Sequence, residues 1–492
     1  MTFLLAARRR HGGVLVTLVL LTACGGSSNP PAPGPPGTGG GDAITGRERV
    51  GWVQPAQDAA QLATFDYAMY VDGTRAVLSG DTCAPGSGGN FDCSAPLPPL
   101  TAGQHNLELV AFTISNGVTL ESERSASLRV TVAGSTAPAG SAPPDATVTT
   151  SEGHRVRTSI VARGLDDPTD LAIAPDGRIF VTERAGHVRL VAPDGAAESA
   201  ALELTGVASG DDTGLTAIAL HPEFERTGHV FLGYATEGDR RDAAGLRIVR
   251  FRERNGILAE AAVLARERAS SPPHVVLRFG KDGKLYAAVA AGADPRDAQD
   301  AASALGKILR FNEDGSTPRD NPGATGMYSS GHRDPRALAW HPATGALWEV
   351  ERDREAGDEL NAVVAGADYG WPLVRGAMRS ARSVAAVLVL PPGTEVSGAA
   401  FVPARSRSPF AGELLVASRG AEDLLRVRVG SGREPSGLVE GILQGRYGRL
   451  AAIAVAGDGT IYAATGNRDT WGAGRDVLLR IDLLTGEEEI RR

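Results

Sequence analysis

The stretch LAIAPDGRIFVTE, Leu171–Glu183, decides the fold prediction. Two apolar runs flank Asp176-Gly177, and an Asp-Gly pair tolerates the positive φ angles of a tight hairpin turn. The stretch therefore predicts a strand, a turn and a second strand. Copies of this pattern recur along the chain, beginning at Leu171, Ile218, Val276, Leu338, Gly398 and Ile453.

The repeat covers about the last two-thirds of the chain. A single hairpin is not stable in water, but several hairpins with flanking strands can close radially and hide their edges. Six copies at a spacing of roughly 50 to 60 residues predict an all-β chain in which residues 153–490 form a six-bladed β-propeller. A large β-sandwich or an open array of hairpins is the alternative.

Residues 43–134 show a different pattern. Alternating apolar and polar residues in Phe65–Val71 and His105–Phe112 predict antiparallel strands, and about 90 residues of this kind favour a fibronectin-III-like or immunoglobulin-like β-sandwich. Cys83 and Cys93 flank a glycine-rich loop, so a disulfide is expected if the chain is exported, with two free thiols as the alternative. Residues 135–152, rich in Pro, Ser, Ala and Thr, are predicted to be a linker.

The first residues resemble an export signal. Arg8–Arg10 precede a short apolar run, Val14–Ala23, which matches a signal peptide at residues 1–23. The run ends in Leu-Thr-Ala-Cys24 and resembles a bacterial lipobox, whose cysteine is lipidated after cleavage; a plain secretory signal is the alternative. Residues 24–42, rich in Gly and Pro, are predicted to be a disordered tether. These features predict an exported protein, lipid-anchored to a bacterial membrane and facing the periplasm or the cell exterior.

Charge and motifs exclude several functions. The net charge is −8 and the basic residues are scattered, which argues against nucleic acid as a partner. The sequence contains no HExxH, Walker or Rossmann fingerprint.

Three longer segments carry a family resemblance: Gly164–Val191, Ala304–Pro322 and Ser330–Pro372. Together they resemble the soluble PQQ-dependent glucose/sorbosone dehydrogenases over about residues 158–485. The resemblance implies pyrroloquinoline quinone (PQQ) and Ca²⁺ as cofactors, a small sugar as substrate and an external electron acceptor.

The resemblance also implies roles for particular residues. His274 is the candidate base, two residues beyond the family position, which falls on Pro272. Arg333 is the candidate group that polarises the quinone, and Asp334, which stands where the family has Asn, is a candidate cofactor contact beside it. A structural ion pair between Arg333 and Asp334 is the alternative. The side chains of His274, Arg333 and Arg449 are expected to converge on one central well.

Further positions correspond to cofactor and metal contacts. Arg419 and Arg449 are candidates for the PQQ carboxylates. Asp353-Arg354 replace a Gly-Pro pair whose carbonyls hold the family's catalytic calcium, so Asp353 is a candidate oxygen ligand. Glu359 and the Tyr369 carbonyl match a second calcium site.

Three functions stay open at this point. The first is a PQQ-dependent dehydrogenase that oxidises an aldose or related polyol. The second is a catalytically degenerate propeller lipoprotein that binds a glycan or a protein partner. The third is a metal-dependent propeller of the lactonase type.

Overall fold

The structure is a computed structural model in which strands predominate: 51% of the chain is strand and 5% is helix. Its described residues include no helix long and apolar enough to cross a membrane. The chain divides into two compact units by its internal contacts. The first unit is Met1–Gly134 with Gly437–Val439, and the second is Ser135–Ser436 with Glu440–Arg492. The structure describes residues 2–10, 13–21, 42–44, 49–78, 81–86, 90–98, 100, 103–115, 118–132, 145–150, 152–192, 195, 201–208, 210, 212–237, 244–269, 271–390, 393–406, 408–429, 435–443 and 445–484.

The described residues of the first unit form two sheets. Their orders are β1-β2-β4-β8-β7 and β3-β11-β9-β5-β6, with β10 paired to β9. The elements are β1 (Thr2–Arg10), β2 (Gly13–Leu21), β3 (Asp42–Ile44), β4 (Arg49–Pro55), α1 (Ala59–Leu62), β5 (Asp66–Val71), β6 (Thr74–Val77), β7 (Thr82–Pro85), β8 (Asn90–Pro96), β9 (Gly103–Ser115), β10 (Val118–Glu121) and β11 (Leu128–Val132).

One apolar core joins these two sheets. Trp52 of β4 and Tyr67 of β5 are almost fully buried in it, with ring centroids 4.5 Å apart. Alternating side chains of β4, β5, β8, β9 and β11 supply the core, as the period-two pattern predicts. Cys83 and Cys93 face each other in β7 and β8 and form a disulfide.

Strands β1 and β2 lie within the predicted signal peptide, and β2 pairs in parallel with β4. Cleavage after Ala23 would remove both strands from the mature chain. Cys24 and most of the predicted tether lie outside the described residues, so lipidation stays a prediction.

The second unit contains six sheets among its described residues. Five have the orders β14-β15-β16-β17, β18-β19-β20-β21, β22-β23-β24-β25, β26-β27-β28-β29 and β30-β31-β32-β33, and the sixth is β12-β13-β36-β35-β34. The strands are β12 (Ala146–Thr149), β13 (Arg155–Leu165), β14 (Pro168–Ile173), β15 (Ile179–Glu183), β16 (His187–Val191), β17 (Leu202–Glu203), β18 (Leu215–Leu220), β19 (His229–Thr236), β20 (Gly245–Arg254), β21 (Ile257–Arg268), β22 (Val275–Phe279), β23 (Leu285–Val289), β24 (Lys307–Phe311), β25 (Met327–Ser330), β26 (Pro335–Trp340), β27 (Leu347–Glu351), β28 (Glu359–Val363), β29 (Leu388–Val389), β30 (Val396–Phe401), β31 (Leu414–Ser418), β32 (Leu424–Val429), β33 (Pro435–Gly441), β34 (Leu450–Val455), β35 (Ile461–Thr465) and β36 (Asp476–Leu484).

Short helices connect some of these strands: α2 (Phe224–Thr227), α3 (Arg468–Trp471), and two 3-10 turns at Pro295–Gln299 and Pro322–Ala324. Each repeat copy forms an antiparallel hairpin from the first two strands of a sheet, or from β34 and β35. Gly177 and Gly283 adopt φ angles of 86° and 70° in the Asp-Gly turns, which a residue with a Cβ adopts only at a cost.

The first strands of the hairpins form a closed ring. Strands β14, β18, β22, β26, β30 and β34 each contact the next, and β34 contacts β14. The sixth sheet is completed by β13, which pairs with β36 from the other end of the unit. This arrangement is consistent with a β-propeller.

The segment predicted as a linker contributes one strand to this unit. Strand β12 lies within residues 135–152 and pairs with the edge of β13. The edge of β13 that faces away from β36 offers backbone hydrogen bonds, and β12 takes them up. The β-branched residues Thr147–Thr149 suit an extended conformation.

Closure through β36 makes a stability prediction. Leu479 is fully buried in β36, so Leu479→Ala leaves a cavity and should lower the free energy of unfolding by about 2–5 kcal/mol. Leu373 is 80% exposed, and Leu373→Ala is the matched control, with an expected change within about 0.5 kcal/mol. Urea unfolding followed by circular dichroism measures both. Equal midpoints for the two variants would contradict this role of β36.

Candidate functional site

β-Bulges in five of the six first strands turn an extra side chain out of the ladder. The register with the partner strand skips one residue in β14, β18, β26, β30 and β34, and a bulge leaves that residue unpaired and re-aims its side chain. In β18 this residue is Thr216, whose hydroxyl donates to the Val275 carbonyl. In the other four strands the side chains line one pocket; the residues are Thr169, Arg336, Ser397 and Ala451.

Three arginines share a second position that is equivalent from one hairpin to the next. Arg184, Arg352 and Arg419 each follow immediately after the second strand of a hairpin. Because the two strands of a hairpin are antiparallel, the start of the first and the end of the second lie at the same end of the sheet. The three arginines therefore line the same pocket, with Pro168, His274 and Val396 completing it. We call this the arginine pocket.

Two of its arginines share two carboxylates. Asp334 lies 2.6 Å from Arg336 and 2.8 Å from Arg352. Asp212 reaches the same two guanidinium groups at 3.3 and 2.7 Å. Burial acts to raise the pKa of Asp212, but the hydrogen bond from Arg352 and the charges of the arginines outweigh it and hold the pKa well below its usual range.

The other two arginines differ in their partners. Arg184 pairs with the buried Asp167 at 2.6 Å. The Arg419 guanidinium has no ion pair or side-chain hydrogen bond to any residue that the structure describes. Burial, followed by the charge of Arg184, lowers the pKa of Arg419. An arginine without a counter-ion at this place makes the pocket suited to an anion.

His274 lies beside these charges, just before β22. Its Nδ1 atom is buried and has no hydrogen-bond partner among the described residues. Burial, followed by the positive charges of Arg336, Arg352 and Arg184, lowers its pKa well below the ordinary value. The imidazole is therefore neutral at pH 7 and able to accept a proton.

Arg333 does not line the arginine pocket. Its guanidinium pairs with Asp353 and lies over the Trp371 ring, 4.6 Å from the centroid. The alternative expectation, an Arg333–Asp334 pair, is wrong, because Asp334 is engaged by Arg336 and Arg352.

Arg449 also lies outside the lining of the pocket, and its guanidinium pairs with Asp469 at 3.0 Å. Its charge still acts on Arg419. Three side chains were expected to converge: His274, Arg333 and Arg449. The structure places His274 in the pocket lining, beside Arg419, and gives Arg333 and Arg449 other partners.

The Asp353 carboxylate is enclosed by arginines. Arg375 donates to both of its oxygens at 2.8 Å, and Arg333 pairs with Oδ1. Burial opposes ionisation, but the hydrogen bond from Arg375 dominates and holds the pKa of Asp353 well below its usual value. Both oxygens thus serve guanidinium groups, and this position does not present the free side-chain oxygen expected of a calcium ligand.

Glu359 and Tyr369 lie in a different environment. Glu359 accepts hydrogen bonds from the Gly376 backbone and, at 3.4 Å, from Asn361. Burial and the nearby Glu351 raise the pKa of Glu359 to about 8. Tyr369 is buried, and its hydroxyl donates to the Ala362 carbonyl at 2.7 Å.

Comparison with known proteins identifies this architecture. The family model described as glucose/sorbosone dehydrogenase matches residues 165–474. The chain belongs to the glucose/sorbosone dehydrogenase family. Quinoprotein glucose dehydrogenase B of Acinetobacter calcoaceticus is 29% identical over 251 residues, and aldose sugar dehydrogenase YliI of Escherichia coli is 31% identical over 234 residues. Each match covers 44% of this chain, and they span 52% and 62% of the relatives' own lengths.

Solved structures of this family have the same fold. A putative oxidoreductase (glucose dehydrogenase) of Thermus thermophilus is 33% identical with a TM-score of 0.59, covering 66% of this chain and 100% of its own. The PQQ-bound aldose sugar dehydrogenase of Streptomyces coelicolor is 28% identical with a TM-score of 0.59, covering 67% and 98%.

The sequence interpretation missed Asp212 and three pocket arginines of this family member: Arg184, Arg336 and Arg352. A signal for two of them exists in the repeat register. Arg184 and Arg352 occupy the position of Arg419, one residue after the second strand of a hairpin. Arg336 lies at a bulge, and no particular residue type marks a bulge position in the sequence.

The Asp212 network generates a pH prediction. A carboxylate with a lowered pKa stabilises the fold above its unfolded value of about 3.9, and this contribution is lost as the pH falls below it. Because Asp212 is 36% exposed, Asp212→Asn should lower the free energy of unfolding by only about 1 kcal/mol at pH 7. The difference from the natural chain should shrink as the pH falls below about 4, so urea titrations should give a clearly smaller difference at pH 2 than at pH 7. Asp469→Asn, in an exposed pair, is the control; a deficit for Asp212→Asn that is undiminished at pH 2 would contradict the network.

Proposed function

We propose that this chain is a PQQ-dependent oxidoreductase that oxidises an aldose or a related sugar or polyol. The observation that carries the proposal is one pocket holding a neutral His274 and an Arg419 without a counter-ion, surrounded by further arginines. A base beside an anion-binding surface is what oxidation of a sugar by a carboxylate-bearing quinone requires.

The architecture supports this proposal. We propose that the six sheets of the second unit are the blades of a six-bladed propeller, and that residues 43–134 form the fibronectin-III-like or immunoglobulin-like sandwich. Propellers place substrates at the centre of the ring, where the first strands meet, and the arginine pocket is built from those strands.

The arginines of this pocket suit the charge of PQQ, which carries three carboxylates. Arg419 would take one carboxylate, because binding it supplies the missing counter-ion of a half-buried guanidinium. Arg336 and Arg352 already share Asp334 and Asp212, so they add a field that favours a further anion close by. When bound, PQQ supplies the acceptor for a hydride from the sugar carbon.

His274 would serve as the base. Its lowered pKa keeps the ring neutral. The Nδ1 atom, which has no partner among the described residues, would take the proton of the sugar hydroxyl while the hydride leaves the carbon that bears this hydroxyl. The four guanidinium groups of the pocket oppose a positive charge on His274, so a bound anion would also help it to hold that proton.

Calcium fits one of its two predicted positions. At Asp353-Arg354 the carboxylate serves two arginines, and no step is assigned to a cation there. At Glu359 a buried carboxyl with a raised pKa would gain from a hard cation, with the Tyr369 carbonyl as the second predicted ligand.

The proposed setting follows from the first residues. We propose an exported protein, lipid-anchored through Cys24, which passes electrons to an external acceptor and binds no nucleic acid. The alternative function is a catalytically degenerate propeller that binds a glycan or protein, and the capture of Arg333 by Asp353 favours it.

PQQ binding separates the two functions. The full chain, purified with excess Ca²⁺, should change the absorbance of added PQQ and reduce a dye with at least one sugar of an aldose panel. Arg419→Gln should weaken PQQ binding by about 10–100-fold, because a charge-assisted hydrogen bond is lost. Arg405→Gln, an exposed arginine nearby in the sequence, is the control and should bind as the natural chain does. No change in the absorbance at saturating PQQ would contradict the proposal.

The role of His274 has its own test. His274→Gln should lower kcat by about 10²–10⁴-fold with PQQ affinity changed by less than tenfold, because a general base acts in the chemical step. Steady-state kinetics and PQQ titration measure the two quantities. Retention of more than half of kcat would assign the base elsewhere.

A further inference from the structure

A buried polar cluster lies on one face of β27 and β28, separate from the arginine pocket. His332, Glu349 and Asn361 are fully buried and Glu351 is 4% exposed. Cross-strand pairing places Glu349 opposite Asn361. One ligand atom each of His332, Glu349 and Glu351 lies within 4.8 Å of the others.

Each member has one polar atom held by a neighbour. The Nε2 atom of His332 lies 2.9 Å from the Ser329 hydroxyl. Oε1 of Glu351 accepts a hydrogen bond from the Arg333 backbone at 2.6 Å. The Asn361 amide donates to Oε2 of Glu349 at 3.0 Å.

The other polar atom of each member is buried and has no hydrogen-bond partner outside the cluster in the part of the chain that the structure describes. These atoms are His332 Nδ1, Glu349 Oε1, Glu351 Oε2 and Asn361 Oδ1. Buried polar atoms are almost always satisfied, and four orphans in one cluster call for a ligand. Holding one atom of each ligand by a hydrogen bond while the other stays free is how proteins orient metal ligands.

The charges point the same way. The carboxyl groups of Glu349 and Glu351 are buried close to one another, so ionising both without a cation is unfavourable. The imidazole of His332 is also buried, and its Nδ1 atom offers a lone pair to a metal ion when the ring is neutral. A divalent cation bound between the two buried carboxylates would supply the positive charge that neutralises them.

We propose that this cluster is a site for a divalent transition ion, Zn²⁺ or Mn²⁺. The ligands would be His332, Glu349, Glu351 and the side-chain oxygen of Asn361. Imidazole is a ligand for transition ions rather than for calcium, which distinguishes this site from the one predicted at Glu359 and Tyr369. Nδ1 of His332 lies 3.4 Å from Oε2 of Glu351. Two ligands about 2.1 Å from a tetrahedral ion are separated by about that distance.

The site is independent of the proposed oxidoreductase function, and its test needs no activity. The full chain is produced in medium with added Zn²⁺ or Mn²⁺, purified in excess Ca²⁺ to fill sites for hard cations, and analysed by plasma mass spectrometry. We expect about one transition ion per chain. Because the site is buried, the ion should resist dialysis, and X-ray absorption at the metal edge should show one imidazole nitrogen in an oxygen shell.

Two conservative variants locate the ion. Glu349→Gln and Glu351→Gln keep the shape of the side chain and should each lower metal content at least fivefold, while raising the melting temperature of the metal-free chain. Glu225→Gln, on an exposed helix position, is the control and should keep its metal. A natural chain with less than a tenth of an ion, or Gln variants that keep a full ion, would overturn the proposal. If the variants fail to fold, an absorption edge without nitrogen in the natural chain would also overturn it.

Discussion

The pairing of β13 with β36 is the constraint on which the second unit depends. The last sheet takes its outer strands from the beginning of the unit and its other strands from the end, so the ring of first strands closes through backbone hydrogen bonds between residues some 320 positions apart. Loop closure over that length costs entropy only logarithmically, whereas an open ring would expose two edges and the apolar faces of two sheets. The central pocket exists because this ring closes.

Neighbouring first strands are also joined by side chains at the bulges. Thr169 donates to the Leu215 carbonyl at 2.6 Å, and Ser397 donates to the Leu450 carbonyl at 2.7 Å. The same bulge position carries Arg336 in β26, where the long side chain enters the pocket. One structural position thus either connects two sheets or supplies charge to the site, depending on the residue it carries.

The sequence analysis predicted the hairpins and the family, and much less of the site. Hairpins follow from Asp-Gly turns between apolar runs, which is local information. A bulge is set by packing around the ring, so residues as different as Thr, Arg, Ser and Ala occupy it and leave no pattern. Motif alignment placed Arg333 at the family's arginine position, but its partner depends on Asp353, a departure from the family whose effect appears only when Arg375 and Trp371 are in place. Strand β12 was missed because Pro and Ser around it suggested a linker.

The proposed function requires that the arginine pocket receives an anionic quinone between Arg419 and His274. A crystal structure of the chain soaked with PQQ would show where the quinone binds. We predict electron density for PQQ in the pocket, with a carboxylate within hydrogen-bond distance of the Arg419 guanidinium and His274 on the quinone side. Density for PQQ elsewhere on the molecule, with the pocket unchanged, would contradict it.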